Sequence, residues 1–442
     1  MVEADAAKPS FRELFQTFGK IGLINFGGPA GQIALMHRVL VDEKRWIEEG
    51  AYLRALNFCT LLPGPEAQQL ATYVGWKLHG VRGGLAAGLL FILPGAVVVL
   101  ALSMLYAAAA DLRPVAAAFL GVKAAVLAIV VEALIRISKR ALNTPVKRVI
   151  AVAAFLALFL LQAPFPLVVL AAAVIGSIVA GLRPEWLALK VSAPSAIETP
   201  QRKLLLPTLQ TVGVWGVLWA APLAAVFLLL GPHHVLFEIG VFFAKLAMVT
   251  FGGAYAVLSY MAQEAVVGHH WLKAGEMVDG LGLAETTPGP LILVTEYVGY
   301  LAAFRAPAPF APIVAGLLGA AMTVWMTFTP CFLWIFVGAP FIERLEHARR
   351  VQGALSAITA AVVGVIANLT LWFGLHVLFR RFSLDHLGGW SLSLPDVASV
   401  DWRTLALAVI AGVVLFRFHA GVMRTLAISV ALGLGLYLAG AA

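Results

Sequence analysis

Charge is scarce in this chain. Of 442 residues only 12% are Asp, Glu, Lys or Arg, against 61% that are hydrophobic, and the mean hydropathy is +0.92. A soluble chain of this length needs far more polar surface, so a soluble globular domain is excluded. Cysteine is nearly absent. Cys59 and Cys331 stand alone, with no CxxC pair and no Cys/His cluster, which removes zinc, haem and iron–sulfur chemistry. Both are read as buried thiols acting as small hydrophobes. His233-His234 and His269-His270 have no third ligand at a suitable spacing, so neither a metal nor a cofactor is expected. Basic runs with interleaved aromatics are missing too. The net charge of +8 is therefore assigned to loops at a membrane, not to nucleic acid. The amino-terminal MVEADAAKPSFRELF has neither the basic start nor the short apolar core of a signal peptide. HExxH, GxSxG and paired catalytic aspartates are absent, which argues against an intramembrane enzyme.

What the chain has is apolar runs, many of them reaching the roughly 20 residues that cross a hydrocarbon core. They are continuous, not alternating, so a β-barrel is excluded. The expected fold is an all-α polytopic membrane protein. Thirteen membrane segments are predicted near 14–36, 53–76, 83–109, 115–135, 149–163, 166–182, 206–230, 235–262, 278–303, 310–338, 352–378, 404–418 and 421–440. Lys and Arg concentrate in loops on the N-terminal side, such as Arg136–Arg148 and Arg183–Lys203. The positive-inside rule then puts the N-terminus in the cytoplasm and the C-terminus outside. Arg38, Lys44, Arg45 and Arg54 fall on the opposite side. The first segment carries Lys20, Asn25 and Gln32, and is read as either spanning or re-entrant.

Displacing the sequence by 225 residues aligns 18–65 with 243–290 without a gap. Phe18, Lys20, Phe26-Gly27-Gly28, Trp46 and Pro63-Gly64-Pro65 fall on Phe243, Lys245, Phe251-Gly252-Gly253, Trp271 and Pro288-Gly289-Pro290. Apolar composition does not align such motifs by itself, so the chain is an internal duplication. A first repeat covers 1–182, a linker with one extra span covers 183–234, and a second repeat covers 235–442. Corresponding spans are seven apart, and an odd separation inverts the second repeat in the bilayer. Inverted repeats with interrupted helices are a recurring architecture of secondary transporters.

Proline removes a backbone donor and clashes with the preceding turn. Each PGP is therefore expected to split its span into two half-helices, and FGG to form either a second pair of breaks or close-packing points. In lipid this is tolerated only where the broken backbone lines protein or a watery cavity. The half-helix after a break offers free N–H groups and a positive dipole end, which favour an anion.

Several polar side chains surround these breaks. Lys20 and Lys245 precede FGG in both repeats, where a cation is costly and usually functional, with snorkelling as the alternative. Lys123, in AAFLGVKAAVLAIV, falls in mid-span and is expected to bind an anion or pair with an acid. Asn25, Asn57, Gln68, Gln69 and Thr287 are neutral candidates. With Lys20, Lys123, Lys245, Gly27, Gly28, Pro63, Gly64, Pro65, Gly252, Gly253, Pro288, Gly289 and Pro290 they form the expected substrate-binding set. Glu66 follows Pro65 directly and is read as a helix cap or a proton carrier. The second repeat has Leu291 there, with Glu285 before and Glu296 after its PGP as further proton-coupling candidates. Glu132 and Arg136, spaced i, i+4, are expected to pair structurally.

FGGPAGQIALMHR (26–38), the Trp46 loop, LLPGPEAQQLATYVGW (61–76), GVRGGLAAGLLFILPG (80–95) and FLGVKAAV (119–126) resemble the bacterial chromate ion transporter family. KLAMVTFGGAYAVLSYM (245–261) and ETTPGPLILVTEYVGY (285–300) resemble its partner domain, so nearly the whole chain fits the long, two-domain form. The resemblance implies an inner-membrane exporter of chromate driven by the membrane potential or proton gradient. Its characteristic stretches fall on Gly27, Gly28, Pro29, Pro63, Gly64, Pro65 and Gln68, and on Gly252, Gly253, Pro288, Gly289 and Pro290. The second copy departs from the first at Ala254 and Leu291. Sulfate, also a tetrahedral dianion, suits the same residues. A carrier for uptake or exchange of sulfate or another oxyanion and an anion channel stay open as alternatives, as does a homodimer.

Overall fold

The structure, a computed structural model, describes residues 9–26, 28–110, 112–189, 205–251, 254–342, 348–387 and 390–440. Gly27, Gly252 and Gly253, expected in the site, lie outside the described residues. The chain is built of helices, the form that satisfies backbone groups where lipid offers no partner. Its helices are α1 (Phe11–Ile24), α2 (Gly28–His37), α3 (Glu49–Leu61), α4 (Glu66–Ala109), α5 (Arg113–Ala141), α6 (Pro145–Phe159), α7 (Phe165–Leu182) and α8 (Leu205–Leu230). They continue as α9 (Val235–Val249), α10 (Ala254–Gln263), α11 (Ala274–Thr286), α12 (Val294–Arg305), α13 (Pro312–Gly338), α14 (Arg349–Leu378), α15 (Trp402–Phe416) and α16 (Val422–Leu438).

Among the described residues, six helices are long and apolar enough to cross a membrane: Glu66–Ala109, Arg113–Ala141, Phe165–Leu182, Leu206–Leu230, Pro312–Phe341 and Arg349–Leu378. The protein is thus a multi-pass membrane protein. Four of the predicted apolar runs are each divided in two, after Ile24, at 62–65, after Val249 and at 287–293. α4 itself holds a turn at His79 (φ −136°, ψ 27°) and Gly80 (φ 61°, ψ −152°). There the chain folds back, and Gly75 packs against the Gly83 carbonyl with no room for a side chain on either. Gly299 and Gly319 repeat this contact between α12 and α13.

One region departs from the purely α expectation. Between α14 and α15 the chain forms an antiparallel hairpin, β1 (Phe382–Leu387) and β2 (Trp390–Pro395), with Phe382 opposite Pro395 and Leu387 opposite Trp390. Asp401 anchors the chain just beyond it. Its Oδ1 accepts from the Arg403 and Thr404 amides (3.1 and 3.2 Å), and its Oδ2 accepts from Arg380 Nη2 (2.6 Å). Burial pushes this carboxyl up, but the Arg380 guanidinium and the two amides outweigh it and hold the group below its ordinary value. A carboxyl lowered on folding stabilises the fold above its ordinary titration range, and that contribution is lost as pH falls through the lowered value.

Contacts divide the chain into two compact units that cut across the sequence halves. One comprises Met1–Ala101, Lys190–Ala254 and Thr287–Gln352, the other Leu102–Leu189, Tyr255–Thr286 and Gly353–Ala442. In the first, α8 is tied to α13 by two tryptophans. Trp219 Nε1 donates to Met326 O (3.1 Å) and Trp325 Nε1 to Leu218 O (2.9 Å). In the second, α5 packs on α11, α15 and α16. Gly121 lies against the Ser429 backbone and Gly433 against the Ala117 carbonyl, the small-residue contacts that let membrane helices approach closely.

The 225-residue correspondence extends to features with no obvious sequence signal. π-helical turns close α2 (Arg38–Glu43) and α10 (Glu264–Gly268). Each is followed by a left-handed residue, Arg45 (φ 52°) and His270 (φ 54°).

Asp401→Ala removes an N-cap and an ion-pair partner at once. We expect it to destabilise the detergent-solubilised protein by about 1 kcal/mol, the usual worth of such a cap. An unchanged melting temperature at neutral pH would show that the hairpin corner holds without it.

Candidate functional site

All four interruptions lie in the first unit. α1 ends at Ile24 and α9 at Val249, the two FGG breaks. α3 ends at Leu61, and α4 resumes at Glu66. α11 ends at Thr286, and after Pro290 a 3-10 turn (Leu291–Leu293) leads into α12. A broken helix leaves amides and carbonyls without intrahelical partners, and these must be satisfied elsewhere. Here segments from the two halves of the chain satisfy each other. Gly64 N donates to Thr250 O (2.8 Å), and Gly289 N donates to Asn25 O (2.8 Å). Under the 225-residue shift Asn25 becomes Thr250 and Gly64 becomes Gly289, so these are one bond made twice with the repeats exchanged.

The central glycines allow this geometry. Gly64 has φ 128° and Gly289 φ 96°, values that residues with a Cβ rarely adopt. Space is short as well. A Cβ on Gly64 would lie 2.7 Å from Cys331 Sγ and from Gln69 Nε2, and one on Gly289 would lie 3.2 Å from Gly95 Cα. Gly95 and Cys331 each follow a proline inside a long helix, Pro94 in α4 and Pro330 in α13. Each PGP glycine therefore packs against a residue that follows a helix proline in the other half of the chain. Both cysteines are free and buried.

Side chains complete the region. Gln32 Nε2 donates to Gly289 O (2.6 Å), and Gln69 Nε2 donates to Pro63 O (2.8 Å). Gln68 Nε2 donates to Thr72 Oγ1 (3.0 Å). Several buried polar atoms beside the breaks have no hydrogen-bond partner among the described residues. They are both side-chain atoms of Asn25, Oε1 of Gln68 and of Gln69, Oγ1 of Thr295 and Oε2 of Glu296. Asn25, Gln68, Gln69 and Thr295 are each 0% exposed. A native fold rarely leaves such groups unmet, since each costs about 1–3 kcal/mol.

The other expected residues fall in different places. Lys20 and Lys245 lie on the exposed faces of α1 and α9, as does Asn57 on α3. Gly28, Pro63, Pro65 and Glu66 are half-buried, and Glu66 opens α4 as expected. Thr287, Pro288 and Pro290 are buried. Lys123 and Glu285 belong to the second unit. There Glu285 Oε1 accepts from Tyr255 Oη (2.6 Å), and the expected Glu132–Arg136 pair is present at 3.5 Å. Lys123 meets an acid that sequence reasoning did not single out. Its Nζ is 3.4 Å from Asp279 Oδ2, which also accepts from Tyr106 Oη at 2.9 Å. A cavity of about 290 Å³ in the same unit is lined by Gln162, Ser259, Gln263, Asn368 and Trp372, and by none of the expected site residues.

The profile of the chromate transporter family matches residues 12–177 and 237–436, in two stretches. The chain belongs to the chromate transporter family. The two matched stretches of the transporter lie on either side of α8, so the family match itself is double. Among relatives, a chromate transport protein of Pseudomonas aeruginosa is 34% identical over 380 residues, 84% of this chain and 82% of the relative. One of Cupriavidus metallidurans is 30% identical over 380 residues, covering 85% and 84%. A probable chromate transport protein of Synechococcus elongatus is 28% identical over 415 residues, covering 92% and 95%. No solved structure matches this transporter.

Gly64→Ala and Gly289→Ala should each strain the cross-tie, by on the order of 1–3 kcal/mol. Gly19→Ala is the control, because nothing lies within 4 Å of that position. Thermal melting of the three purified variants decides it. Equal melting of all three would mean that the PGP geometry is not confined as described.

Proposed function

We propose that this protein is a secondary transporter of the bacterial inner membrane that exports chromate, driven by the membrane potential or proton gradient. The observation that carries this reading is the reciprocal tie of Gly64 to Thr250 and Gly289 to Asn25, in a chain that belongs to a chromate transporter family. Contacts in which i meets j and j meets i are the mark of a two-fold relation. Two repeats so related, with corresponding spans an odd number apart, form an inverted pair. The first is 1–182, and the second is 235–442 beyond the linker and extra span of 183–234. The N-terminus lies in the cytoplasm and the C-terminus in the periplasm.

Chromate is a tetrahedral dianion that needs several donors and a positive potential. Half-helix N-termini after the breaks supply amides and a positive dipole end. In the first unit, Asn25, Gln68, Gln69, Thr287 and the backbone around Gly28 and the two PGP motifs supply neutral polar groups, with Glu66 and Glu296 as sites for protons; in the second unit, taken by itself, Lys123 supplies a cation and Glu285 a further site for a proton. Lys20 and Lys245, on exposed helix faces, draw anions towards the protein electrostatically. Moving one charge through 100 mV is worth about 2.3 kcal/mol. A dianion leaving a negative interior therefore gains roughly twice that for each 100 mV. The Asn25 side chain, buried with no partner among the described residues, favours direct binding of an oxyanion, and sulfate is the natural competitor.

Radiolabelled chromate flux into inverted vesicles tests the reading. Saturable accumulation that sulfate inhibits and ionophores abolish is the expected result. Flux that does not saturate would indicate a channel, and no chromate flux would remove chromate as substrate. Reporter fusions at residues 143 and 442 should report cytoplasm and periplasm, and two signals from the same side would break the inverted arrangement.

A further inference from the structure

The second unit holds one charge pair well suited to exchange. Lys123 of α5 and Asp279 of α11 are 3.4 Å apart, with side chains 28% and 5% exposed. The ammonium is thus the accessible member, and the carboxylate lies behind it. Gly275, one turn before Asp279, keeps space open beside the ammonium, since a Cβ there would stand 3.3 Å from Lys123 Nζ. On its inner side Asp279 Oδ2 accepts from Tyr106 Oη, and Oδ1 is buried with no partner among the described residues.

The frame around the pair is tight. Gly282 of α11 sits directly on Val122, and Gly121 on the Ser429 backbone. The helices have no slack, so the pair opens by movement of the long lysine side chain. The groups acting on Asp279 are few. Lys123 comes from α5, Tyr106 from the end of α4, and Glu276 from its own helix. α16, also packed on α11, brings no ionisable side chain into ion-pair or hydrogen-bond contact with Asp279 among the described residues.

We infer that Lys123 and Asp279 form an ion-exchange couple, in which a tetrahedral oxyanion takes the Lys123 ammonium and the released Asp279 carboxylate takes a proton from solvent. The inference rests on the oxyanion-carrier reading above. A buried carboxylate stripped of its cation is strongly disfavoured, and binding a proton removes that penalty. Anion and proton are then linked, and the linkage is reciprocal: each promotes binding of the other. Loading at this pair takes up one dianion and one proton, so a single negative charge is added. The bland alternative is a fixed structural pair. It predicts that replacing both members by apolar groups is tolerated, with transport unchanged.

Addition of chromate or sulfate to the full-length protein in detergent, in weakly buffered solution, reads the coupling directly. About one proton should leave solution for each oxyanion bound, and apparent affinity should rise towards tenfold for each unit of pH lowered, as one-proton linkage requires. Asp279→Asn should abolish both the proton uptake and the pH dependence. The double variant Lys123→Met with Asp279→Leu should lose saturable flux while retaining its gel-filtration profile. Oxyanion binding by the unaltered protein without proton uptake overturns the couple, as does a normal pH slope in Asp279→Asn or normal flux in the double variant. Absence of any oxyanion binding by the unaltered protein overturns instead the carrier reading on which the couple rests.

Discussion

Two backbone hydrogen bonds organise this fold. An interrupted helix in a membrane is a debt of unmet amides and carbonyls, and lipid cannot settle it. Gly64 and Gly289 each give an amide to the other repeat's first break, at Thr250 and Asn25. Each bond needs the PGP break of one half and the break before FGG in the other. The PGP and FGG motifs are thus not four separate kinks but two halves of one joint. The close seats of Gly64 against Cys331 and of Gly289 against Gly95 follow from the same exchange.

Around that joint the chain spends its few polar groups sparingly. Gln32 and Gln69 are used as struts on carbonyls, while Asn25 and Thr295 are buried without partners among the described residues. Glu66 and Glu296 are acids beside the breaks. Lys123 and Asp279 sit in the second unit on helices fixed by glycine contacts, and Glu285 is held by Tyr255. The Lys123–Asp279 pair thus lies in a different unit from the four interruptions.

Much of this was legible in the residues, and the reasons are local. Proline and glycine act within a turn of where they stand, so the breaks after Ile24, at 62–65, after Val249 and at 287–293 could be placed from PGP and FGG alone. Glu66 at the head of α4 followed from its place after Pro65. What could not be read was partnership across distance. Lys123 was expected to meet an anion or an acid, but nothing in its surroundings pointed to a residue 156 positions away. Asp279 stands at the edge of an apolar run, where an acid looks interfacial. The hairpin at 382–395 alternates apolar and polar residues around a Gly-Gly pair, a period that a reading of continuous apolar runs does not register. The two compact units escaped because they combine pieces from both repeats, and contiguous motifs report only contiguous chain.

The two glutamine struts have a consequence of their own. Gln69 braces the first PGP from within its own repeat, and Gln32 braces the second from across the joint. Both therefore come from the first half of the chain. The matching positions in the second half are Leu293 and Val257, which have nothing to donate. A pair of separate, identical subunits would carry such braces in duplicate or not at all. The joint is therefore two-fold in its backbone and one-sided in its side chains.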